Sequence, residues 1–233
     1  MTVVHQADVI RVDRFASGGS LLRLRMQEPS QLAHRGGQYI IISSGLTYPN
    51  GKVGKRAYSL FGSSADQTEF YLAAEPVTDG LVSLYLQERN VGDRLSFSGP
   101  WGKLGASEEA WSGDEPLLFI AVETGVTAIL GLISSRPLPA GSRLIWFRRP
   151  DAAFLPDAVV HELLPSNLES RLFVPPLSIC SRDTWASIEG LVRPWQGLYL
   201  AGEACLIEAL ERDFVDRGGR AGFVQKELFF RRI

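Results

Sequence analysis

The chain has 233 residues, 45% hydrophobic and 21% charged, enough to bury a sizeable core as one large domain or two smaller ones. Its 24 basic and 26 acidic residues leave a net charge of -2, which excludes a global field that recruits nucleic acid or an anionic membrane. No apolar run approaches the roughly 20 residues of a membrane span, the opening MTVVHQADVI lacks an apolar signal core, and the two cysteines, Cys180 and Cys205, suit a reduced, cytoplasmic setting.

In chain order, the first hundred residues read as short strands. LLRLRM (21–26) alternates, QYIIIS (38–43) is continuously apolar at its centre, and EFYLAA (69–74) and DRLSFS (93–98) follow. Gly18-Gly19, Gly36-Gly37 and Pro49-Asn50-Gly51 punctuate them as turns. One helix-like piece, VSLYLQER (82–89), interrupts the series. So many strands with so little helix predict a small antiparallel β-barrel, with a sandwich as the rival, because closure removes exposed sheet edges.

From Pro116 buried strands alternate with helices: LLFIAV, GVTAILGLISS, LIWF, PDAVVHELL, RLFV, LYLAG, ACLIEALERDFVDRG and GFVQKELFF. That order predicts an α/β domain with a parallel sheet and helices on both faces. Leu206, Leu210 and Phe214 recur at four-residue spacing, Gly218-Gly219 supplies a C-terminal stop, and Cys205 reads as core. The polar, acidic stretch between the halves reads as a linker. The expected division is therefore 1–105 for the barrel, 106–115 for the linker and 116–233 for the α/β domain.

The chemistry-bearing residues begin with RAYSL, Arg56 to Leu60. An arginine fork suits a pyrophosphate, a tyrosine ring stacks on a flat heterocycle, and a serine hydroxyl reaches a polar edge. Alone, these letters on a strand are ordinarily surface decoration. About twenty residues on, DGLVSLYLQERNVGDRLSFSGPWGKL supplies G-x-x-S at Gly80 to Ser83, then Gly92-Asp93 and Gly99-Pro100. A G-x-x-S is by itself ordinarily an N-cap, yet a helix start is also a phosphate site. In this order, R-x-Y-S, G-x-x-S, G-D and G-P-x-G resemble the ferredoxin–NADP reductase family of flavoproteins, and the resemblance extends over nearly the whole chain.

The resemblance implies FAD bound by Arg56, Ala57, Tyr58, Ser59, Gly80, Val82, Ser83 and Phe229. It implies a flavin-contacting catalytic pair, Ser59 and Glu227, the latter from the family's E-x-F near the C-terminus. Hydride transfer itself needs no protein acid or base. On the nucleotide side it implies Thr124, Gly125, Arg149, Ser181 and Arg182 as NAD(P) contacts, with Ser181-Arg182 favouring NADPH over NADH through a 2′-phosphate. Two cysteines cannot ligate an iron–sulfur cluster alone, and His5, His34 and His161 lack metal-ligand spacing, so no protein metal site is expected. Electrons must then pass to an external acceptor protein such as a ferredoxin, a flavodoxin or an oxygenase component.

Four departures from the family pattern cluster at one ligand. Glu123 replaces glycine and Ala128 replaces proline in AVETGVTA, while Ala201 replaces cysteine and Ala204 replaces proline in LYLAGEACLIEAL. A carboxylate about 5 Å from a phosphate charge costs roughly 3 kcal/mol at an effective dielectric near 20, and under about 1 if it turns into water. Two readings therefore stand: an FAD-dependent oxidoreductase with a weakened nucleotide site, or a non-catalytic FAD-holding subunit or sensor that has lost that site.

Overall fold

The computed structural model describes residues 3–105, 111, 114–148, 154–173 and 197–229. Six strands form the first sheet: β1 (His5–Arg14), β2 (Ser20–Glu28), β3 (Tyr39–Thr47), β4 (Val53–Ser59), β5 (Glu69–Ala74) and β6 (Arg94–Trp101). Their order is β4-β3-β6-β1-β2-β5, and every pairing is antiparallel. Beyond β4 the chain turns so that Phe61 bridges Tyr71 of β5, drawing the two edge strands together into a partly open barrel. The barrel reading thus holds over the sandwich. β1, built from a segment of mixed polarity, buries Ala7 and Val9 and extends the sheet beyond the strands legible in the sequence.

Alternation fills the barrel. Leu22, Leu24, Ile40, Ile42, Phe70, Leu72, Leu95 and Phe97 point inward, and helix α1 (Leu81–Gln87) covers them with Val82 and Leu86.

The second sheet contains β7 (Leu117–Val122), β8 (Arg143–Phe147), β9 (Glu169–Phe173), β10 (Gly197–Glu203) and β11 (Val224–Phe229), ordered β11-β10-β7-β8-β9 and parallel throughout. Every residue of the central β7 is buried, because Leu117, Phe119 and Ala121 face one core and Leu118, Ile120 and Val122 the other. Helices α2 (Val126–Ile133) and α3 (Asp157–Leu163) contribute to the first core, and α4 (Ala204–Asp216) covers the second with Leu206, Ile207 and Leu210. The expected stop of α4 is realised by Gly218 at φ +93°, with the Gly218 and Gly219 amides donating to the Val215 and Phe214 carbonyls.

The two sheets are joined by backbone contacts too close for a side chain. A Cβ at Gly131 in α2 would lie 2.1 Å from the Leu60 carbonyl oxygen, one at Gly36 2.4 Å from the Gly131 oxygen, and one at Gly19 1.9 Å from the Phe154 oxygen. Leu21, Phe61, Ala73 and Leu104 of the barrel side share one core with β7 and α2. Within the linker stretch, Trp111 is buried in that core and its indole N–H donates to the Tyr199 hydroxyl at 2.6 Å. No described helix is long and apolar enough to cross a membrane.

Candidate functional site: a flavin cradle beside a nucleotide turn

Alternation along β4 sets Gly54, Arg56 and Tyr58 on one face, in register with Ile42 and Ile40 of β3 for the last two. Gly54 leaves room for the start of α1: a Cβ there would sit 2.8 Å from Leu81 Cδ2 and 2.8 Å from Ser44 Oγ. Tyr58 packs its ring on the barrel core, and burial pushes its phenol up, against the pull of the nearby Arg56 guanidinium. Arg56 is exposed and makes no ion pair among the described residues. Ala57 is exposed and Ser59 buried on the opposite face of β4.

The start of α1 is equally tight. Asp79 stands at φ +62°, and a Cβ at Gly80 would meet Ser83 Oγ at 2.4 Å. The Ser83 hydroxyl donates to the Gly80 carbonyl at 2.9 Å and accepts the Val77 amide at 3.2 Å, so it fixes the turn. Val82 is buried in the barrel core, so its backbone N–H is the group it could offer a ligand. The first-turn N–H groups of a helix lack intrahelical acceptors and carry a positive end, as a phosphate requires. The cation at Arg56, the glycine-lined approach at Gly54 and Gly80, and the shielded ring of Tyr58 fit FAD.

The strand ladder extends this site to residues that the motifs did not single out. Tyr39 lies opposite Ser59 on one side and opposite Trp101 on the other. Trp101 is 42% exposed, with its indole N–H on Ser98 Oγ at 3.3 Å, and a Cβ at Gly102 would touch the Tyr39 ring at 3.1 Å. Burial raises the Tyr39 phenol, and the charge of Glu227 raises it further. Glu227, on β11 of the second sheet, is thus near enough to the barrel for its charge to act on Tyr39. Glu227 is itself half-buried, its carboxyl pushed up by desolvation; it is in register with Ala201, and Phe229 with Glu203. A tyrosine two residues after Gly37 and the tryptophan inside G-P-W-G were the signals available in the sequence, but an aromatic on a strand reads first as core.

The residues expected on the nucleotide side lie at the carboxyl ends of β7 and β10. Glu123, Thr124 and Gly125 form one 3-10 turn before α2. Glu123 stands at φ +51°, the left-handed region that favours glycine, and its carbonyl accepts the Trp146 indole N–H at 2.9 Å. The Thr124 carbonyl accepts the Thr127 hydroxyl at 2.9 Å. A Cβ at Gly125 would fall 2.0 Å from the Ala201 oxygen, and one at Gly202, φ +144°, 2.6 Å from the Val122 oxygen. Cys205 corrects the sequence reading: it is exposed, with its thiol 3.6 Å from Glu203 Oε1, because Leu206, Ile207 and Leu210 set the buried face of α4 and Cys205 falls on the opposite one. Arg149, Ser181 and Arg182 lie outside the described residues. Among the described residues no group of three His, Cys, Asp or Glu side chains could hold a metal.

Residues 6–105 match the family described as the oxidoreductase FAD-binding domain. That match spans the barrel. The barrel together with the parallel sheet has the two-domain fold of ferredoxin reductase-like flavoproteins. The FAD/NAD-binding domain of nitric oxide dioxygenase from Vibrio cholerae is similar with a TM-score of 0.76 at 19% identity, over 97% of this chain and 98% of that one. The cytochrome P450 reductase from Amycolatopsis gives 0.75 at 21% identity, over 97% of this chain and 70% of that one. The flavohemoglobin from Malassezia yamatoensis, solved with bound FAD and heme, gives 0.74 at 17% identity over 98% of this chain, which spans 60% of that protein. Comparison with curated proteins finds no match.

Proposed function

We propose that the chain is an FAD-dependent oxidoreductase that passes electrons between NAD(P)H and a one-electron acceptor protein, a ferredoxin, flavodoxin or oxygenase component. The observation that carries this reading is the convergence on the barrel of an Arg56 guanidinium without an ion pair among the described residues, the shielded Tyr58 ring and the Glu227 carboxyl of the second sheet. Two similar structures, by their descriptions, are an FAD/NAD-binding domain and a cytochrome P450 reductase, which supports electron transfer as the class of reaction. Division at 1–105 and 116–233 assigns FAD to the first domain and pyridine nucleotide to the second.

Bound FAD supplies the conversion between two-electron and one-electron steps. Arg56 pairs with its pyrophosphate, and the backbone from Gly80 through Ser83 turns N–H groups toward the same charge. Tyr58 stacks on the ring while Ser59 and Glu227 contact its polar edge, with Ala57 lining β4 and Phe229 excluding water. Thr124 and Gly125 present the backbone of the nucleotide turn, with Arg149, Ser181 and Arg182 assigned to the same ligand.

A second reading, a non-catalytic FAD-holding subunit or sensor, is favoured by one observation: a carboxylate-bearing residue, Glu123, occupies the turn at which a phosphate would approach. One experiment separates the two. NADPH and NADH are added without oxygen to the yellow protein. Bleaching by either is the expected result; retained colour with both, while FAD stays bound, supports the non-catalytic reading.

A further inference from the structure

We propose that Trp146 is a positioning residue for the nucleotide turn: its indole N–H grips the Glu123 carbonyl and holds a non-glycine residue left-handed at the carboxyl end of β7. This rests on the reading of Val122 to Gly125 as the turn that meets NAD(P)H. A side chain with a Cβ disfavours positive φ, so Glu123 at +51° needs an external restraint that glycine at this place would not.

Trp146 supplies that restraint. It is buried in β8, where the ladder sets it beside Ala121, and its Nε1 reaches the Glu123 oxygen at 2.9 Å. The ring is itself held in place. The Arg148 guanidinium lies 5.3 Å from its centroid, and Arg148 is paired at 2.9 Å with Asp157 in the first turn of α3. On the opposite side β10 presses on the same segment through Gly125 against the Ala201 oxygen and Gly202 against the Val122 oxygen. The Glu123 carbonyl also accepts the Val126 amide that closes the 3-10 turn, so Trp146 adds to a local backbone bond a directional one from a different strand. The bond also satisfies a buried indole N–H, which needs a partner.

A tryptophan that merely fills the core would behave alike whatever stands at position 123, and that difference is the test. Trp146→Phe keeps an aromatic ring and removes the N–H. It is made in the wild type and in Glu123→Gly, and both the Kd for NADPH and the thermal midpoint of the FAD-loaded proteins are measured. With Glu123 in place, Trp146→Phe should raise Kd about fivefold and lower Tm by about 3 °C, with FAD content unchanged. In Glu123→Gly, whose glycine holds the conformation unaided, the same change should cost less than about twofold in Kd and about 1 °C. Equal effects in the two backgrounds overturn the proposal. If none of the four proteins binds NADPH, the reading of the turn as a nucleotide site fails, and the pair of Tm shifts alone decides the clamp.

Discussion

Around β4 and the start of α1, backbone approaches that leave no room for a side chain are met by glycine, at Gly54 and Gly80, and the exposed cation Arg56 stands beside them. At the end of β7 a left-handed position is filled by Glu123, and a hydrogen bond from Trp146 holds it. On the proposed reading both regions present the backbone that a phosphate-bearing ligand needs, and the first pairs it with residue types that suit the charge. The comparison teaches that a fold can preserve the shape of a site after its electrostatics have moved, so the ligand has to be argued from side chains rather than from topology.

The sharpest way to break that contrast is to damage the ground both regions share. Gly131 packs α2 of the second sheet against the Leu60 carbonyl and the Gly36–Gly37 turn. Gly131→Ala should therefore destabilise the protein by about 3 kcal/mol, roughly 6–12 °C in Tm, because backbone cannot yield as a flexible side chain does. Calorimetry checks this; a Tm within 2 °C or so of the wild type would mean that the two sheets are not tightly welded there. Arg56→Ala should act on one region alone. Loss of a charge-assisted contact to the pyrophosphate should weaken FAD about a hundredfold, equivalent to roughly 2.7 kcal/mol, with little change in apoprotein Tm. FAD retained at full stoichiometry through dilution and gel filtration would contradict the cradle.

The smallest effect concerns Glu227. Burial raises its carboxyl above the ordinary value of 4.5, so its folded-state pKa exceeds its unfolded one. The associated stability is fully present below the unfolded value and is lost as pH rises through the folded one. Glu227→Gln should thus gain stability near pH 8, by less than about 2 °C, and lose the advantage below about pH 4. A gain that grows on acidification would have the wrong sign and would exclude desolvation as the cause.

Much of this was legible before the structure. VSLYLQER reads as a helix-like piece, and α1 forms there over Leu81–Gln87, while its packing on the barrel through Val82 and Leu86 came from the fold. What the sequence could not carry was long-range. Gly18-Gly19 and Gly36-Gly37 read as turns, and Gly18 and Gly37 do stand at φ +85° and +88°; Gly19 and Gly36 are fixed instead by Phe154 and Gly131, more than ninety residues away. The relation of Tyr39 to Ser59 and Trp101 exists only in the ladder. Cys205 is exposed because Ile207, as well as Leu206 and Leu210, turns to the sheet, and that burial sets the outward face on which Cys205 falls. At Glu123 the letters revealed a change of charge, whereas the left-handed backbone and its Trp146 support emerged only from the fold.

The contrast between an intact flavin cradle and an electrostatically altered nucleotide turn is tested most directly by NADPH binding to FAD-loaded wild type and Glu123→Gly at two ionic strengths. Replacing the glutamate removes a carboxylate from the phosphate approach and leaves a residue at ease with positive φ, two changes acting in the same direction. The account predicts unaltered FAD stoichiometry and a Kd for NADPH at least roughly tenfold lower in Glu123→Gly, about 1.4 kcal/mol, with the difference larger at low salt. Tight, salt-insensitive binding by the wild type, equal to that of Glu123→Gly, would contradict it.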